Sequence, residues 1–167
     1  SYVSEPFISD GNPTQYVFGK PNGSIIADVD RNGFLDIVRF PSEFTEPVPF
    51  DPIVWLNSEG IFTATKPANP SGVFYQYIRN SAEGDFDNDG YLDFFLADQG
   101  WELEGRNPEF FQGALPKYLK GSATGLEFVP KESWVVGEMP TNTFHHVNAV
   151  ADFDQDGDLD VGVAEFF

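Results

Sequence analysis

The chain has no cysteine. That excludes disulfide staples, thiolate metal sites and cysteine nucleophiles. Basic residues are scarce, with 9 Lys and Arg against 27 Asp and Glu and a formal net charge of −18. Nucleic-acid binding depends on basic patches, so no nucleic-acid partner is expected. No apolar run approaches the roughly 20 residues of a membrane-spanning helix, so no membrane span is expected either. The sequence holds no G-x-S-x-G, no H-E-x-x-H and no P-loop. Gly121-Ser122-Ala123-Thr124-Gly125 reads as a hairpin turn. The two histidines are neighbours, His145 and His146. On a strand they point to opposite faces, so they cannot share one metal or one substrate proton. One is expected to pack, and the other to face solvent or a neighbouring element.

What the chain does have is aromatic and acidic. It carries 18 Phe, 6 Tyr and 3 Trp in 167 residues, and 41% of it is hydrophobic. That is enough for a real core in one domain and argues against a disordered acidic tail. The acids are patterned. The pattern D-x-D-x-[DN]-G-x-L-D occurs at 28–36, 85–93 and 152–160. The three copies hold three, four and five acidic residues. Three divalent cations would offset six of the negative charges.

Oxygen-bearing side chains fall at positions 1, 3, 5 and 9 of each copy and glycine at position 6. Calcium takes six to eight hard oxygen ligands, and a loop wrapping the ion presents alternate side chains to it. The chain must turn sharply midway, where glycine avoids the cost of a positive φ. The expected metal ligands are Asp28, Asp30, Asn32 and Asp36; Asp85, Asp87, Asp89 and Asp93; and Asp152, Asp154, Asp156 and Asp160. The carbonyls of Phe34, Tyr91 and Asp158 at position 7 add one oxygen each. About three Ca²⁺ are expected, in a structural role. Asn32 carries no charge, so the first loop is expected to bind weakest. Magnesium fits less well, because it demands a compact octahedron and keeps its waters. Leu at position 8 is expected to anchor each loop exit in a core.

An EF-hand needs a bidentate Glu at position 12. Here position 12 is Arg39, Leu96 and Val163. The runs leaving the loops, such as Leu92–Ala97 and Leu159–Ala164, are short and apolar, so each loop joins two strands rather than two helices.

On these three loops and their flanking strands, the sequence resembles the FG-GAP or VCBS repeats, the calcium-loop blades of integrin-alpha-type β-propellers. The resemblance covers most of the chain. It implies bladed architecture and structural calcium but no single activity, since such blades occur in adhesins, lectin-like modules and polysaccharide lyases.

The expected fold is all-β, with β-propeller blades of four antiparallel strands, about two and a half of them in an incomplete ring. Residues 1–23 would supply a leading strand, 24–66 the first blade, 73–130 the second and 144–167 half of a third. The expected strands of the first blade are Ser24–Ala27, Leu35–Phe40, Ile53–Leu56 and Ile61–Thr65. Those of the second are Tyr75–Arg79, Leu92–Ala97, Lys117–Lys120 and Leu126–Val129. The first aspartates are 57 and then 67 residues apart, which suits four strands with generous loops. Two blades and fragments cannot close a ring, which takes four to eight. The expected partners are therefore further blades, of the same or another chain. The favoured expectation is a piece of a longer propeller chain; the alternatives are a ring shared between chains, or a filament.

A long connector carries Trp101, Glu102, Glu104, Arg106, Phe110 and Phe111. Aromatics beside acids and an arginine could stack on and hydrogen-bond a sugar, or they could cover a blade edge. Modest calcium affinity suits an extracellular or cell-surface setting, and Ser1-Tyr2-Val3 reads as the start of a processed, secreted chain. Asn22-Gly23-Ser24 is a glycosylation sequon. The expected function is a calcium-stabilised extracellular binding, adhesion or assembly module, with glycans or surface proteins as candidate ligands. The alternatives are part of a secreted polysaccharide-active enzyme, or a filament subunit.

Overall fold

The computed structural model describes residues 24–40, 52–73, 77–102, 111–112, 114–135, 137 and 144–166. They form an all-β structure. The first sheet contains β1 (Ser24–Ala27), β2 (Asp36–Arg39), β3 (Ile53–Ser58) and β4 (Ile61–Thr65), antiparallel and in chain order. The second contains β5 (Ile78–Gly84), β6 (Asp93–Asp98), β9 (Lys117–Lys120) and β10 (Glu127–Val129), also in chain order. A third sheet pairs β11 (Phe144–Ala151) with β12 (Asp160–Phe166). No sheet closes into a barrel.

The strands form where apolar and β-branched residues alternate. In β2, Asp36 and Val38 are buried while Ile37 and Arg39 are half-buried. Turn chemistry sets the hairpins. Glu59 and Gly60 both take positive φ (54° and 89°) between β3 and β4, the two-residue turn that matches strand twist. The Gly60 N–H donates to Asn57 Oδ1 at 2.8 Å, fixing that turn.

The first two sheets pack face to face. Val38, Phe40 and Val54 of one meet Phe94, Leu96 and Leu119 of the other in one buried cluster. Phe40 and Phe94 make an edge-to-face pair with centroids 6.0 Å apart. The link between the sheets adds a short parallel bridge, where the Phe128 N–H donates to the Ala68 carbonyl and the Ala68 N–H to the Leu126 carbonyl, each at 2.8 Å. β11 lies on the other side of the second sheet. Its Asn148 side chain donates to the Phe95 carbonyl at 2.9 Å.

Three expectations need correction. The strand entering the second loop is Ile78–Gly84, not Tyr75–Arg79. Asn80, Ser81 and Glu83 carry little strand signal, yet Ile78, Ala82 and Gly84 are its buried residues. The strand bulges at Arg79, and β11 bulges at His146, each six residues before the loop's first aspartate. Position-8 leucines do not all anchor in a core. Leu92 packs on the central cluster, whereas Leu35 and Leu159 are exposed. Part of the long connector is ordered as a ribbon of β7 (Trp101–Glu102) with β8 (Phe111–Gln112). The sequence reading also missed a 3₁₀ turn at Lys131–Ser133. The leading segment 1–23 lies outside the described residues.

Candidate metal centre

Each loop sits between the first two strands of its sheet, and all three have the same geometry. The position-5 N–H donates to the position-1 carboxylate at 3.0, 3.0 and 3.1 Å in the three loops. It also reaches the position-3 carboxylate at 3.1, 3.3 and 3.1 Å. The position-6 glycine N–H donates to the second oxygen of position 1 at 2.9, 2.8 and 3.1 Å. The position-7 N–H donates to the side-chain oxygen of position 5 at 2.8, 2.9 and 3.0 Å. The position-2 N–H donates to the position-9 carboxylate at 2.8, 3.0 and 2.9 Å.

The glycine at position 6 takes φ of 90°, 90° and 102°. Position 4 is left-handed as well: Arg31, Asn88 and Gln155 have φ of 61°, 58° and 64°. This conformation is uncommon outside glycine and asparagine, and nothing in the sequence of Arg31 or Gln155 signals it.

These loops draw three carboxylates together. Asp28, Asp30 and Asp36 form one group, Asp85, Asp87 and Asp93 a second, and Asp152, Asp154 and Asp160 a third, with one oxygen of each residue within 4.8 Å of the others. Like charges this close repel unless a cation or protons offset them. Three hard carboxylate oxygens on a tight loop fit a hard divalent cation. Asn32, Asp89 and Asp156 at position 5 turn a side-chain oxygen to the position-7 amides of Phe34, Tyr91 and Asp158.

The position-9 aspartates have a second task. Asp36 Oδ1 accepts the Asn57 N–H at 2.7 Å, and Asp93 Oδ1 accepts the Gly121 N–H at 2.7 Å. Each thereby ties its loop to the outer hairpin of its own sheet. Both are fully buried. Asp93 also accepts the Tyr118 hydroxyl at 2.8 Å. Burial raises the Asp93 pKa above the ordinary carboxylate value, although these N–H and O–H donors pull it down. A bound cation would pull the same way as the donors. Burial and the Asp93 carboxylate hold the Tyr118 phenol well above its ordinary range.

The second loop contains a cation that sequence reading missed. The Lys120 ammonium contacts Asp87 Oδ2 and lies 3.2 Å from Asp89 Oδ2. Its hydrogen bonds to the Asp87 and Asp89 carboxylates push its pKa up to about 12. The Asp89 carboxyl is held below its ordinary value, first by the Tyr91 backbone N–H. Strand register explains the contact. Asn57 and Gly121 make the same bond to position 9, so Lys120 takes the place that Leu56 holds in the first sheet. The signal was the alternation Tyr118, Lys120 just before Gly121, but only the pairing of β9 with β6 aims it at the loop.

His145 is fully buried and His146, at the bulge of β11, is half-buried. Of the connector residues, Trp101 pairs with Gln112 and Glu102 with Phe111 through their backbones. Arg106 and Phe110, with Glu104, lie outside the described residues, so their grouping with Trp101, Glu102 and Phe111 stays a sequence expectation. Aromatic rings do gather elsewhere. Trp134 stands edge-on to Phe95 and to Tyr118, with centroids 5.4 and 6.4 Å apart. They line a cleft of about 430 Å³ shared with Phe86, Lys120 and Leu159.

Comparison with family models, curated proteins and solved structures found no match for the chain.

Proposed function

We propose that the chain is a calcium-stabilised extracellular binding or adhesion module built of FG-GAP/VCBS-type propeller blades. The observation that carries this reading is the threefold recurrence of one loop geometry, with the carboxylates of positions 1, 3 and 9 converging each time. Calcium is the hard cation that tolerates such a flexible, carboxylate-rich loop, and extracellular modules bind it at roughly 10⁻⁴–10⁻³ M. The ion's role is structural: it joins the ends of each loop and neutralises carboxylates that otherwise repel. The cleft beside the second loop, with Tyr118 and Trp134, supports a ligand with an apolar ring face, such as a sugar.

Thermal unfolding in calcium, magnesium and chelator tests the metal reading. Calcium at a hundred times Kd stabilises each independent site by about 2.7 kcal/mol, so the midpoint rises in calcium, rises less in magnesium and falls in chelator. Equal midpoints in all three conditions would contradict it. A glycan array probed with the chain and with Trp134→Ala tests the binding reading. Binding lost in the variant supports it, and an array without signal removes the sugar.

A further inference from the structure

The second sheet tucks away a lysine where the first carries an isoleucine. Phe94 pairs with Leu119 and Ile37 with Trp55, so Lys117 takes in β9 the place of Ile53 in β3. Its side chain is only 11% exposed. The ammonium donates to the Leu115 carbonyl and lies 3.5 Å from Asp98 Oδ2. Asp98 is fully buried, and its other oxygen accepts the Tyr77 and Gly100 N–H groups at 2.9 and 3.0 Å. Apolar residues can often replace a buried ion pair at no cost, so stability alone does not account for this one. An ammonium has three N–H bonds, and one of those on Lys117 has no partner among the described residues.

Lys117 lines a cavity of about 230 Å³ beside the second sheet, with Val73 and Pro130 as apolar walls. Lys131 and Glu132, on the 3₁₀ turn after β10, line it too, as does Trp134. Lys131 makes no ion pair among the described residues. The Trp134 indole N–H is shut off from solvent and has no hydrogen-bond partner, although a buried Trp N–H usually finds one. Burial, and to a lesser degree the Lys131 ammonium, lowers the Lys117 pKa against the pull of Asp98. Three donors without acceptors thus gather at one cavity, in a chain with only 9 basic residues. Unmet donors of this kind call for an acceptor. The cavity is smaller than the roughly 300–1,000 Å³ that drug-sized ligands occupy, so its occupant is a single small molecule. Asp98 already offsets Lys117, which suits one negative charge on that molecule rather than two.

We infer that this cavity binds a small hydroxylated carboxylate of monosaccharide size, its carboxylate held between the Lys117 and Lys131 ammonium groups. The Trp134 N–H adds a third donor, and Glu132 accepts a hydroxyl. Hydrogen bonds between an ammonium and a carboxylate are about twice as strong as neutral ones, so the carboxylate sets the affinity and the hydroxyl the orientation. The inference does not rest on the metal reading, because none of these residues belongs to a loop. It is also separate from the cleft of Tyr118 and Lys120, which Lys131 and Glu132 do not line.

The test is a titration of the nitrogen-labelled 167-residue chain, in millimolar calcium at constant salt, with sodium glucuronate and separately with glucose. The signal is the indole N–H of Trp134 in the amide spectrum, assigned with Trp134→Phe. Glucuronate is expected to shift it saturably and to bind at least tenfold more tightly than glucose. Lys131→Glu changes an exposed side chain on the turn and is expected to weaken glucuronate at least tenfold. Lys117→Met made together with Asp98→Asn removes both charges of the buried pair, so no lone charge is left to unfold the sheet. That double variant is expected to keep the remaining amide signals and lose the glucuronate shift. No saturable shift in the wild type would overturn the proposal. So would glucose binding as tightly as glucuronate, or glucuronate affinity that Lys131→Glu leaves unchanged.

Discussion

Within one loop the balance of charge would set how tightly a cation could be held. The third loop has five acidic residues and no lysine at its carboxylates among the described residues, whereas the second has four and Lys120. The third loop is expected to keep its ion last as chelator is added. Lys120→Ala removes a competing charge from the second loop and is expected to tighten it by about two- to fivefold, the range an exposed ion pair reaches. Calorimetric titration of the variant at low and high salt checks both size and origin, because screening by salt must shrink the difference. The position-9 aspartates differ by surroundings, not by type. Asp93→Ala leaves the Phe86 and Gly121 N–H groups and the Tyr118 hydroxyl without their acceptor. At about 1–3 kcal/mol per buried unsatisfied group, a loss of about 3–5 kcal/mol is expected in chelator. Asp160 accepts the exposed Phe153 N–H, so Asp160→Ala should cost about 1 kcal/mol. Denaturant unfolding of both variants without metal measures the contrast, and no loss in either would mean that position 9 matters only through the ion.

At the scale of elements, the hairpins hold the loops as much as the loops join the strands. Gly121 begins the turn after β9, and a β-carbon there would clash with the Leu92 carbonyl. Gly121→Ala is expected to push the β9–β10 hairpin off the second loop, at a cost of about 1–3 kcal/mol. Faster amide exchange in β9, β10 and the second loop, with the first sheet unchanged, is the expected signature. Most strands were legible because their apolar residues alternate and their turns carry Gly, Asn or Pro. β5 was not, because a bulge at Arg79 breaks its period and polar side chains occupy its middle. The loops were legible from the spacing of their aspartates. The approach of Lys120 and the exposure of Leu35 were not, since each depends on which strand or loop lies alongside; nor was the left-handed position 4, which neither Arg31 nor Gln155 marks by residue type.

For the whole molecule the central question is whether three empty-handed acidic loops are tolerated or three filled ones are required. The chain carries −18, and twelve of its acids sit in three loops whose carboxylates lie within a few ångströms of one another. Self-repulsion of that size opposes the compact state. Metal removal is therefore expected to lower stability most at low ionic strength, and chelator unfolding curves at two salt concentrations would show it. The most direct single measurement is native mass spectrometry of the chain in calcium, alongside Asp28→Ala, Asp85→Ala and Asp152→Ala. The account predicts three calcium ions on the wild type and one fewer on each variant. A wild type that carries no calcium, or variants that all retain the wild-type number, would contradict it.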